Sequence, residues 1–116
     1  MPASIYNLNI EQGATFTRTI TWKDSTGAAV NLTGYTARMQ IRERVDSATA
    51  LVSLTQASGI ALGGSAGTIT LTITSALTDA LPNMKKGVYD LELVSSGGIV
   101  TRLIQGEVVV SPQVTR

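Results

Sequence analysis

The feature that most constrains this chain is a period of two between apolar and polar residues, repeated in short runs along its length. Thr68 to Thr74 shows it most cleanly: Ile69, Leu71 and Ile73 fall on one parity, Thr68, Thr70 and Thr72 on the other. Successive side chains of a strand point to opposite faces, so this pattern suits a half-buried strand and no other regular structure. The longest such stretch is Gly87 to Val110, GVYDLELVSSGGIVTRLIQGEVVV. Tyr89, Leu91 and Leu93 alternate there with Asp90 and Glu92. Ser95-Ser96-Gly97-Gly98 then offers glycines able to take the positive φ of a tight turn. It predicts an antiparallel hairpin, around which the upstream strands gather.

Read in order, Tyr6, Leu8 and Ile10 mark a first short strand, broken by Glu11-Gln12-Gly13. Ala14 to Lys23 is a second, with Phe16, Ile20 and Trp22 on the apolar parity and Thr15, Thr17, Thr19 and Thr21 opposite. Arg18 intrudes on the apolar parity. An edge position with its stem packed and its head in water accommodates it; a buried pair with Asp90 or Glu92 is the other reading. Asp24-Ser25-Thr26-Gly27 is a turn, and Ala29 to Gly34 a connector. Ala37, Met39 and Ile41 then point inward from a strand that ends in the charged Glu43-Arg44-Val45-Asp46. Ala48 to Leu54 predicts another short strand, and Gly59 to Gly67 a mobile loop. Ser75 to Leu81 breaks the β pattern. Thr74 or Ser75 can cap a helix, Leu77 and Leu81 share one helical face as a plug, and Pro82 stops it. Asn83 to Gly87 returns the chain to the hairpin.

The fold class that follows is all-β: an immunoglobulin-like antiparallel β-sandwich with one short helix near residues 75–81. A small closed barrel shares the same period and stays open as the alternative. With 116 residues the chain makes one domain, assigned to residues 1–110, followed by a polar C-terminal tail at 111–116. Phe16, Trp22, Tyr6, Tyr35 and Tyr89 are its whole aromatic complement, so Val, Ile and Leu must fill the core.

The residues offer little chemistry. Histidine and cysteine are both absent, which removes the commonest general base, zinc ligands and thiol nucleophile. Asp90 and Glu92 are two residues apart on one polar strand face, where a solvent-facing pair is the ordinary reading. Glu11, Glu43, Asp46, Asp79 and Glu107 sit at element ends or beside glycines. GIALGGSAG lacks the lysine and the βαβ setting of a phosphate loop. No catalytic, cofactor-binding or metal residue is assigned, and no enzyme activity or cofactor is expected. Nine basic against eight acidic residues give a net charge of +1, no footprint for nucleic acid or an anionic membrane. Arg38, Arg42 and Arg44 form a stripe that Glu43 and Asp46 interrupt and no aromatic platform accompanies. The first residues lack the pattern of a secretion signal, and no run approaches a membrane span.

Several stretches carry a resemblance. They are YNLNIEQGATF from Tyr6, Trp22-Lys23-Asp24, LTGYTARMQIR from Leu32, GVYDLEL from Gly87 and RLIQGEVVVSP from Arg102. Together they resemble the amino-terminal β-sandwich domain of baseplate upper proteins, small virion proteins of tailed bacteriophages and prophages. Shared features are a "G-A-T" strand, an "L-T-G" connector, and a "G-x-Y" hairpin ending in a valine-rich strand. The likeness runs from Tyr6 to Pro112. It implies a structural virion component, a tail, baseplate or head–tail adaptor or decoration subunit. Such a subunit is made in the host cytoplasm and resides in the virion. It works through contacts with other virion proteins and through self-association in a symmetric ring or particle, with no nucleic acid or membrane partner. Proteins of that kind usually continue into a coiled-coil or fibre-binding region, whereas this chain stops at Arg116, so a freestanding subunit is expected. A freestanding carbohydrate- or protein-binding module is the alternative; for sugar it would have to display Tyr6 or Tyr35.

Overall fold

A computed structural model describes residues 4–81 and 87–112. The strands are β1 (Ser4–Ile5), β2 (Leu8–Glu11), β3 (Phe16–Thr21), β4 (Thr36–Arg42), β5 (Val52–Thr55), β6 (Ile60–Leu62), β7 (Thr68–Ile73), β8 (Gly87–Val94) and β9 (Val100–Ser111), with one helix, α1 (Ser75–Asp79), after β7. Two sheets form. The larger runs β1-β9-β8-β4-β5, with β2 also on β9, and the smaller runs β3-β7-β6. Their inner faces share one core, in which Leu8, Ile10, Met39, Ile41, Leu91 and Val108 of the large sheet meet Ile69, Leu71 and Ile73 of the small one. The chain is an all-β, two-sheet fold with one short helix.

The period of two explains why these residues make these strands. In β4, Ala37, Met39 and Ile41 are buried while Thr36, Arg38 and Gln40 are exposed. β8 alternates along its whole length, with Tyr89, Leu91 and Leu93 inside. The β8–β9 hairpin closes at Ser95–Gly98, where Ser95 N–H donates to the Ile99 carbonyl and Gly98 takes φ +88°, a backbone state that suits glycine. The register slips between Leu91 and Glu92, whose partners are Ile104 and Arg102. Leu103 is the extra residue of this β-bulge.

Several sequence expectations need correction. The large sheet is not wholly antiparallel: β1 and β2 both run parallel to β9. Alternation fixes which face is buried and carries no information on strand direction. Residues 59–67 are not a loop throughout. Ile60–Leu62 pairs antiparallel with Ile69–Leu71, and burial of Ile60 (3% exposed) accounts for that strand. A 3₁₀ turn covers Gly64–Ala66. The strand expected at Ala48 to Leu54 starts only at Val52. In α1, Thr74 caps the first turn by accepting from Leu77 N–H at 3.4 Å. Leu77 itself is 42% exposed, and the plug consists of Thr78 (fully buried) and Leu81. The return segment from Pro82 to Lys86 and the end of the polar tail, 113–116, lie outside the described residues; Ser111 belongs to β9.

Candidate contact surfaces

The N-terminal edge is stitched to β9 by two side-chain hydrogen bonds and a glycine. β1 and β2 keep one register, each residue meeting one 100 positions further on: Ser4 with Ile104, Leu8 with Val108. Between them, at Tyr6-Asn7, the regular strand pairing is interrupted. The Tyr6 carbonyl accepts the Tyr89 hydroxyl, while the Asn7 Oδ1 accepts Glu107 N–H at 2.9 Å. An amide side chain thus provides the acceptor that a regular parallel strand would supply from its backbone. Gly106 makes room for the crossing. A Cβ there would lie 2.4 Å from the Tyr6 carbonyl oxygen and 2.8 Å from Asn7 Oδ1. Gly106 also stands opposite Tyr89 on β8, whose ring is buried (4% exposed). Burial pushes the Tyr89 phenol well above its ordinary pKa, with Tyr6 adding to the shift and the Arg18 cation opposing it.

Arg18 sits on β3, an edge strand as the sequence suggests, but neither acidic residue is its partner. Its guanidinium donates to the Tyr6 hydroxyl and lies 5.6 Å from the Tyr6 ring centre and 5.5 Å from that of Phe16, within cation–π range. Tyr6 therefore links the two sheets. It is half-buried in this contact, and Tyr35 is half-buried against Trp22, edge-on at 5.9 Å. Both tyrosines considered for a sugar platform are engaged in packing.

The outer face of the large sheet carries the carboxylates. Glu92 accepts from Arg38 at 2.7 Å, and Asp90 faces Arg102 at 3.4 Å. Each acid meets a guanidinium across a strand pair, which is ordinary cross-strand charge matching. Arg42 donates to the Ser47 carbonyl and to Gln40, both at 2.8 Å, and Arg44 approaches Asp46 at 3.6 Å in a fully solvated strand end. The three arginines are divided among separate partners. A shallow groove of about 440 Å³ runs beside Ile5, Val45, Val88 and Arg102. In the turn just past β3, Asp24 Oδ1 accepts the Thr26 hydroxyl at 2.5 Å and the N–H groups of Thr26 and Ala28. These bonds, the hydroxyl first, lower the Asp24 pKa and hold the turn. Glu43 and Asp79 are exposed, and no three Asp or Glu gather as metal ligands among the described residues.

Asn7, Gly106 and Thr78 organise these surfaces without having been singled out from the sequence. For Gly106 a signal exists: a glycine inside an otherwise valine-rich strand marks a close backbone approach. No known family model matches the chain, and no curated protein does.

Proposed function

We propose that this chain is a structural virion component of a tailed bacteriophage or prophage, an adaptor or decoration subunit of the tail, baseplate or head–tail region acting through protein–protein contacts. One observation carries the reading: the resembling stretches fall, in chain order, on framework strands or on the turns that lead into them. "G-A-T" leads into β3, "L-T-G" leads into β4, "G-x-Y" starts β8, and the valine-rich end is the part of β9 that holds β2. The proposed finer class is an immunoglobulin-like sandwich, in which the first strand joins the large sheet alongside the last. The role needs contact surfaces and no reaction, and the paired carboxylates of the outer face are consistent with that. Partners are other virion proteins and further copies of the chain, in the particle after synthesis in the host cytoplasm, with no nucleic acid or membrane component. Mass spectrometry of purified particles tests it. The expected result is this chain at a fixed copy number per virion; its absence from particles whose other structural proteins are all detected rejects the role.

A further inference from the structure

Every open sheet exposes edges whose unpaired backbone groups can join another strand, and most natural edges are blunted. Three of the four edges here are. β5 and β6 have four and three residues, and the β1–β2 edge is split at Tyr6-Asn7 into segments of two and four. β3 differs. It pairs with β7 without a register shift from Phe16 to Thr21, contains no proline, and its charge, Arg18, is folded onto Tyr6.

The hydrogen-bond phase of β3 can be worked out. Trp22 N–H donates to the Gly67 carbonyl at 2.9 Å, which extends the β3–β7 register by one position and makes that pair a hydrogen-bonded one. In an antiparallel pair, bonded and non-bonded positions alternate. Phe16, Arg18 and Ile20 therefore direct their backbone groups to β7, and Thr17, Thr19 and Thr21 direct theirs away from it. The other side of β7 agrees: Gly63 N–H donates to the Thr68 carbonyl and Thr72 N–H to that of Gly59, so alternate β7 residues serve β6. All three outward-directed threonines are exposed.

From this edge we infer that β3 pairs antiparallel with β3 of a second copy about a two-fold axis through Thr19. This rests on the reading that the chain acts through protein contacts. Only this register opposes Thr19 to Thr19 and Thr17 to Thr21, matching every free N–H and carbonyl of the strand with its own equivalent. It sets Arg18 against Ile20 and Phe16 against Trp22. A shift of two residues one way would place Arg18 against Arg18, and one the other way would carry Thr17 past the strand end. A two-fold contact of this kind is self-complementary and closed, and it joins the two small sheets into one.

The absence of cysteine from the chain gives a clean test. Opposed residues of a hydrogen-bonded pair have Cα atoms about 5.5 Å apart, inside the disulfide range of about 4.4–6.8 Å. Thr19→Cys is expected to form a disulfide-linked dimer under mild oxidation, at least tenfold faster than Ser53→Cys on the exposed face of β5. Thr17→Cys mixed with Thr21→Cys should cross-link, whereas Thr17→Cys alone should not. Thr19→Pro removes an N–H that β7 does not use, so the circular dichroism spectrum should persist while sedimentation shows at least a tenfold weaker dimer. Equal linking of Thr19→Cys and Ser53→Cys overturns the inference, as does a folded Thr19→Pro that dimerises like the parent or a parent monomeric at millimolar concentration. If any of these occurs while particles still contain the chain, the virion role stands and only this edge is lost. Cross-linked dimers of a chain missing from particles would uphold the edge and remove the virion role.

Discussion

Gly106 is the residue whose replacement is most informative. Alanine there would press a Cβ against the backbone of Tyr6, which has no flexible end to move aside. Overpacking of this kind costs about 1–3 kcal/mol, so Gly106→Ala should lower the unfolding free energy measured in urea by that amount. Gly97→Ala, whose Cβ would meet nothing closer than 3.9 Å, should stay within about 0.5 kcal/mol. Tyr89 reports on the same crossing through pH. Its folded-state pKa lies above the ordinary value of 10.0 because the phenolate would be buried, so the stabilisation is complete below pH 10 and is lost as pH rises beyond it. Each added pH unit in that range costs about 1.4 kcal/mol. Unfolding titrations from pH 9 upward should therefore fall more steeply for the parent than for Tyr89→Phe.

At the scale of elements, the helix shows what alternation can and cannot reveal. Thr78 donates its hydroxyl to the Ala14 carbonyl at 2.8 Å and accepts Gly13 N–H at 3.1 Å, pinning α1 to the β2–β3 turn. Thr78→Val keeps the shape and strands both backbone groups. Both groups lie at a partly exposed turn, so the expected loss in chemical denaturation is about 1–3 kcal/mol, the net worth of two hydrogen bonds; Leu77→Ala, at an exposed site, should cost less than about 1. The sequence puts a capped turn at this place and assigns the plug to Leu77 and Leu81, of which only Leu81 is buried; Thr78 takes the other place, because two leucines four apart suggest an apolar face and a threonine suggests water. The inward residues of β4, β7 and β8 are all readable, as each strand is buried on one face and its period survives. β6 is not, because three residues among glycines are too short to show a period. Pairing partners are also hidden: the 100-residue separation between β2 and β9 leaves no local trace, and Arg18 finds Tyr6, not an acid, only once β2 lies beside the sandwich opening.

For the whole molecule, the first and last strands meet on one sheet. β2 cannot pair until β9 has been made, so a chain truncated before Val100 lacks both the hairpin return and the support for its first strand. Such a truncation should show no cooperative thermal transition, whereas the full chain should melt in one. Parallel pairing of β1 and β2 with β9 has a mechanical corollary. Ser4 lies at the Ile104 end and Glu11 at the Ser111 end, so tension drawn out through the two termini slides these strands past one another and strains all their shared bonds together, with no peeling from one end. Loaded in this way the chain would yield by abrupt rupture at high force, and optical-tweezer traces pulled from the termini should show that single step.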